Sequence, residues 1–180
     1  MAGENGKKKD DITSEEIYIN NAGLVLLHPF LEVLFEHLGL TLQDKWIDSS
    51  SHQKAVLVSE FLVTGSTDFE EFNLVLNKIL CGIDPDEIVV TEMRPENEIT
   101  SECEDLLNEV ITHWKALKNT SIDGLRETFL QRNGKLSKVE NGWLLQVEQK
   151  TVDVLISSLP WGFGIVKLPW MNEMVFVEWT

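Results

Sequence analysis

Four histidines, thirty acidic side chains and two cysteines are the groups in this sequence suited to acid–base, metal or nucleophilic chemistry. Catalysis needs such groups at matched pKa and within hydrogen-bond reach of one another. The spacing does not bring them together. His28 and His37 fall at offset positions around a helix, and no His, Cys and Asp positions recur at metal-ligand intervals on one helix face. His113 precedes Trp114 on an amphipathic segment and reads as a structural or surface histidine. Glu102, Asp105 and Glu109 lie along one helix face and read as solvating it rather than as an acid/base pair. Asp84, Asp86 and Glu87 concentrate acid in a turn without the ordered ligand spacing of a calcium loop. The sequence holds no GxSxG, Walker loop, GxGxxG or HExxH. Cys81 and Cys103 sit in apolar or helical surroundings without a CxxC, and are expected as free buried thiols. The expectation is therefore no enzyme, with no catalytic, cofactor-binding or metal-binding residues.

Tryptophan and proline carry the positive signal. Six Trp stand against one Tyr, and the unit Leu-Pro-Trp occurs twice, at 159–161 and 168–170. Proline fixes φ and limits the backbone around Trp161 and Trp170. Tryptophan on stiff backbone loses little entropy on docking and makes a good interface anchor. Leu136–Trp179 accordingly reads as a structural docking element and not as a catalytic site. Its tryptophans either fill the core between sheet and helices or stay partly exposed at an interface.

The elements that position these residues follow from periodicity. Residues 1–16 are expected as a disordered polar tail and 17–180 as one globular domain. Ile17–Ile19 is a short strand or an extended arm. Apolar residues at helical spacing mark Ala22–Leu38, with Pro29 near the start and Gly39 as a C-terminal cap. Residues 41–50 form a loop or short turn around Trp46, and Ser51–Val63 is a second helix closed by Thr64-Gly65. Asp68 is expected to cap a third helix carrying Phe72, Val75, Leu76, Ile79 and Leu80. Glu87–Glu98 is an acidic linker. In the clearest helix Ile99, Cys103, Leu106, Leu107, Val110, Ile111, Trp114 and Leu117 share one face, and Ser121 caps the next, Ile122–Gln131. Beyond Gly134 the period becomes that of strands, with a hairpin turn at Asn141-Gly142, a short helix Val152–Leu159 capped by Thr151, and strands Phe163–Leu168 and Met174–Trp179. The fold class is α+β, with a helical N-terminal two-thirds packed on a small antiparallel ββαββ sheet.

Composition bounds the partners. The formal charge of −15 argues against general nucleic-acid or anionic-membrane binding and suits either a solvated face or a basic partner. The most apolar stretch, Ala22–Leu38, carries His28, Glu32, Glu36 and His37 and does not fit a bilayer. A soluble chain made in the cytosol is expected, with no membrane insertion.

Three stretches together carry a resemblance. They are Asn21–Leu31 (NAGLVLLHPFL), His113–Arg126 (HWKALKNTSIDGLR) continuing through Phe129–Lys135 (FLQRNGK), and Leu159-Pro-Trp-Gly162 with Lys167-Leu-Pro-Trp-Met171 and Val177-Glu-Trp179. Lys54-Ala-Val, Phe61-Leu-Val-Thr-Gly65 and Leu74–Gly82 (LVLNKILCG) agree as well. From about residue 20 to its end the chain resembles the C-terminal region of the tape measure proteins of bacterial contractile injection systems, phage-tail-like particles with a sheath, an inner tube and a baseplate. The resemblance implies an assembly role without substrate turnover: such proteins occupy the tube lumen and set its length, while a terminal region engages tube-end, baseplate or cap proteins. His113, Trp114, Lys118, Asn119, Arg126, Gln131 and Arg132 match the central motif, and Trp161, Trp170 and Trp179 the C-terminal one. Partner contact is expected at Trp161, Trp170, Met171, Trp179, Trp114, Arg126 and Arg132. A helical ruler gains about 1.5 Å per residue, so the tail before residue 20 is too short to measure a long tube. The chain is expected to be a fragment of a longer ruler or a short relative built on its end-piece. It would act in the cytoplasm during assembly and then within the particle. The alternative is a cytosolic adaptor or chaperone-like module serving assembly or cargo loading.

Overall fold

The computed structural model describes residues 15–179. Residues 1–14 of the expected tail lie outside the described residues, and its last position, Glu16, instead opens strand β1 (Glu16–Ile19). A 3₁₀ turn, Ala22–Leu27, leads into α1 (His28–His37), where Pro29 occupies the first turn and loses no hydrogen bond there. Gly39 follows with φ +68°, the left-handed conformation that releases the chain from the helix.

Residues 41–46 of the expected loop or short turn form a minimal hairpin, β2 (Thr41–Leu42) and β3 (Lys45–Trp46). Its turn residues Gln43 and Asp44 both have positive φ, a geometry that Asn-Gly signals and Gln-Asp does not. α2 (Ser49–Thr64) starts on Asp48, whose Oδ1 accepts from the Ser51 amide at 2.7 Å, and ends on Gly65 in the left-handed region. Every residue from Ala55 to Val63 is buried, including Ser59 and Glu60, so α2 is the central helix. The segments at 75–80, 97–113 and 126–130 pack around it.

The third helix differs from expectation. Ser66 accepts from the Asp68 amide, and Thr64 Oγ1 from the Ser66 amide, so side chains divert the backbone into turns. Asp68 caps nothing, Phe72 is exposed, and α3 covers only Val75–Leu80. α4 (Asn97–His113) buries Ile99, Cys103, Leu107, Val110 and Ile111 as its period requires. Ser121 Oγ accepts from the Gly124 amide at 3.0 Å and starts α5 (Ile122–Leu125), which widens into a π-helical turn, Arg126–Leu130.

β4 (Gly134–Val139) and β5 (Gly142–Val147) form the expected hairpin. A 3₁₀ helix, Thr151–Ser158, follows, with the Asp153 carboxylate rather than Thr151 taking the Lys150 amide. β6 (Ile165–Val166) and β7 (Met174–Glu178) complete the chain. The fold is α+β, but the sheet is mixed, and it draws in the N-terminal strand. Its order is β1-β4-β5-β7-β6. β7 inserts between β5 and β6 and runs parallel to β5, Leu145 facing Val177. The segment between β5 and β7 is long enough for the crossover that parallel neighbours need, while β6 and β7 pair antiparallel around the turn at 169–173. Ile19, Leu136, Leu145, Val147, Val166 and Val175 make the buried face of the sheet against the helices.

Candidate functional site

The motif stretches, far apart in sequence, meet in space. Trp161 donates its indole N–H to the Leu26 carbonyl at 2.8 Å and packs edge-on against Phe30, centroids 4.9 Å apart. His28 Nε2 reaches the Gly162 carbonyl at 2.7 Å, and burial pulls the imidazole below its usual pKa range although that hydrogen bond opposes the shift. The first Leu-Pro-Trp turn is thus clipped to the start of α1. The second is clipped to the end of α3. Trp170 donates to the Leu80 carbonyl at 2.8 Å and packs on Phe35 and Trp46, while its own carbonyl would lie 2.5 Å from a Cβ at Gly82.

The central motif supplies two buried guanidinium groups. Arg126 donates to the Leu62 and Phe61 carbonyls at 3.1 and 3.3 Å, and Gln131 to Val63 at 3.1 Å, so together they satisfy the last carbonyls of α2. Arg132 is fully buried and holds Asp153 through two 2.8 Å bonds. It also donates to the carbonyls of Glu148 and Thr128 and lies 5.2 Å from the Trp179 ring, whose N–H bonds Asp153 Oδ2 at 3.0 Å. Burial alone would raise the Asp153 carboxyl. Hydrogen bonds from Arg132, the Lys150 amide and Trp179, with the Arg132 charge, outweigh it and hold the pKa low. Trp114 donates to the Leu155 carbonyl and to Ser158, both at 3.1 Å.

Of the seven residues expected at a partner surface, Trp114, Arg126, Arg132, Met171 and Trp179 are therefore buried, and Trp161 and Trp170 are half-buried. Of the two readings left open for the C-terminal tryptophans, Trp179 fills the core and Trp161 and Trp170 stay partly exposed. The indole and guanidinium donors among the seven reach backbone carbonyls, the Asp153 carboxylate and the Ser158 hydroxyl.

Sequence reasoning missed two groups. Asn21 Nδ2 donates to Glu60 Oε2 at 2.8 Å and to Asn77 Oδ1 at 2.7 Å, and Asn77 donates to Ser59 and Glu60, all beneath the surface. The Glu60 carboxylate accepts from the Asn21 and Asn77 amides there, and burial raises its pKa despite those bonds. Glu60 lies inside a continuous apolar helix, and that is the only sequence signal it offers. The second group is a cleft of about 610 Å³ between the hairpin end of the sheet, the turn after α3 and the second Leu-Pro-Trp turn. Ile17, Ile83, Trp143 and Met171 wall it, and Glu15, Asp84, Asp86 and Glu173 line its margin. Lys138 pairs with Glu173 and stands 4.7 Å over the Trp143 ring.

The chemistry of catalysis does not assemble around these features. His113 is exposed, bonded to the Glu109 carbonyl of its own helix and outside the cleft. Cys81 and Cys103 are free and buried, and burial pushes the Cys103 thiol up to about 12 and Cys81 higher still. Among the described residues no group of three His, Cys, Asp or Glu is placed to hold a metal, and no helix is long and apolar enough to cross a membrane.

Comparison with curated proteins and with solved structures found no match. Comparison with protein families matched residues 2–179 to the contractile injection system tape measure protein. The match spans every stretch that forms the framework above, from Asn21 to Trp179, and the chain belongs to the contractile injection system tape measure protein family.

Proposed function

We propose that this chain is a non-enzymatic assembly component of the particle, a docking module that engages inner-tube, baseplate or cap proteins. It turns over no substrate, uses no cofactor or metal, and binds neither nucleic acid nor membrane. It works in the cytoplasm during assembly and then resides in the particle, with which it is released. What supports this reading is family membership over nearly the whole chain, and that observation carries it.

The half-buried faces of Trp161 and Trp170, on proline-fixed turns, are the surfaces offered to a partner, beside the cleft walled by Met171. Trp114, Arg126, Arg132 and Trp179 serve docking by holding those turns in place. Mass spectrometry of purified particles tests the role: the chain is expected among the particle proteins, and a clean deletion should leave particles absent, incomplete or of disordered length. Normal particles after deletion would sink the proposal. The charge of −15 favours one second reading, an adaptor that binds a basic client during assembly. In that case the chain is missing from mature particles while deletion still impairs their formation.

A further inference from the structure

In the register of β4 and β5, Leu136 faces Leu145 and Lys138 faces Trp143, so these four side chains share the inner face of the sheet. Leu136 and Leu145 are fully buried under the helices, whereas Trp143 is half-buried and Lys138 exposed. The sheet therefore runs past the helical layer at its hairpin end, and the cleft is the gap beneath that overhang. Its walls are apolar, and Glu15, Asp84, Asp86 and Glu173 set its margin against the one ammonium of Lys138. Resting on the docking reading above, we propose that this cleft docks a basic segment of another protein. Such a segment sets an apolar side chain between Ile17 and Trp143 and its Lys or Arg side chains on the acidic margin.

Three observations select this occupant. The first is a cation already in place: the Lys138 ammonium pairs with Glu173 and stands 4.7 Å over the Trp143 ring, so the walls accept an ammonium group against an aromatic face. The second is charge. Asp84 and Asp86 are exposed, and among the described residues neither they nor Glu15 pairs with a cation. Among the same residues no three acids are placed to hold one metal ion, so the margin suits separate cations spaced along a segment. A second copy of this chain is a poor occupant, because it brings its own −15 charge to an acidic margin. The third is the apolar wall of Ile17, Ile83, Trp143 and Met171, which methylene stems and an apolar side chain fill and a bare cation does not. A cleft of about 610 Å³ has the size of a ligand pocket, so it takes a few side chains of a segment rather than a whole helix.

Titration of the full chain with a labelled, end-blocked peptide Lys-Leu-Lys-Leu-Lys tests this, read by fluorescence anisotropy and by hydroxyl-radical footprinting. The peptide should bind, protect Trp143 and leave Trp161 reactive. Binding should be lost when its Lys are replaced by Glu and weakened when its Leu are replaced by Ser. Asp84→Asn with Asp86→Asn should bind about fivefold more weakly, the modest effect expected of exposed ion pairs. Asn keeps an oxygen for the bond that Asp84 Oδ1 accepts from the amide of residue 86, so the turn is retained. Glu102→Gln with Asp105→Asn removes the same charge from the exposed face of α4 and should bind as the parent does. A particle that lacks the chain would sink the docking reading and leave peptide binding at the cleft standing; failure of the peptide overturns the cleft assignment alone. Equal weakening in the two double variants would reduce binding to general attraction by the acidic chain and overturn the assignment. So would undiminished binding of the Ser-substituted peptide, or protection of Trp161 in place of Trp143. Protection of Trp143 that rises with concentration of the chain alone would give the cleft to a second copy and overturn it as well.

Discussion

Arg132 shows at the scale of one residue why the motif side chains matter. It is fully buried, its charge is met by Asp153, and its two terminal nitrogens also donate to two carbonyls, while its buried Nε has no partner among the described residues. Removing one partner of such a pair strands the other charge, so Arg132→Ala should cost about 3–5 kcal/mol, read by denaturant unfolding. The pair also has a pH signature. The Asp153 carboxyl is held below its unfolded value, so its contribution is present above the ordinary aspartate range and lost as pH falls through the lowered value. Acid unfolding of Arg132→Met should lack that component. Glu60 has the opposite sign. Its folded pKa is raised by burial, so stability is greatest below the unfolded glutamate value and declines as pH rises through the folded one. Glu60→Gln keeps an oxygen acceptor for Asn21 and Asn77 without the charge. The variant should unfold at higher denaturant than the parent at neutral pH, and the difference should shrink towards acid. Trp170→Phe keeps a ring against Phe35 and Trp46 but loses the Leu80 hydrogen bond, a loss of about 1 kcal/mol.

Among the elements that hold left-handed backbone, the turns at Gln43-Asp44 and at Gly82 are the informative ones. Gln43 and Asp44 occupy positive φ without being glycine, at a cost of roughly 1–3 kcal/mol each by analogy with other strained residues. Asp44→Gly should therefore raise the melting temperature, and it removes an acid that lies against Glu32. Gly82 is the converse case. Its φ is +73° and a Cβ would collide with the Trp170 carbonyl, so Gly82→Ala should destabilise by more than 1 kcal/mol and loosen the second Leu-Pro-Trp turn. Loss of particle binding in Gly82→Ala with a melting temperature near the parent's would tie that turn to docking directly. Element identity was legible where one signal dominates, as in α4, the Asn141-Gly142 hairpin and the glycine stops at 39 and 65. The start of α3 was not, because Thr64 and Ser66 bond the backbone locally and override the helical spacing.

The whole molecule is one framework in which the C-terminal tryptophans bind the helical half. Trp161 reaches α1, Trp170 reaches α3, and Trp114 and Trp179 meet the 3₁₀ helix at 151–158 from either side. The charge of −15 acts on this framework as self-repulsion, so moderate salt at neutral pH should raise its melting temperature slightly. By itself the sequence determined the α+β class, the family resemblance, and the absence of a spaced catalytic or metal motif, since these rest on local periodicity and residue identity. Only the tertiary structure decided that β7 runs parallel to β5, that Glu60 is buried, and that a cleft opens beside Met171. It also decided that Arg126, Trp161 and Trp170 donate to backbone carbonyls, and that Arg132 and Trp179 converge on the Asp153 carboxylate. Each of those depends on which distant segments share a boundary, and a buried donor finds its acceptor through packing that no sequence interval encodes.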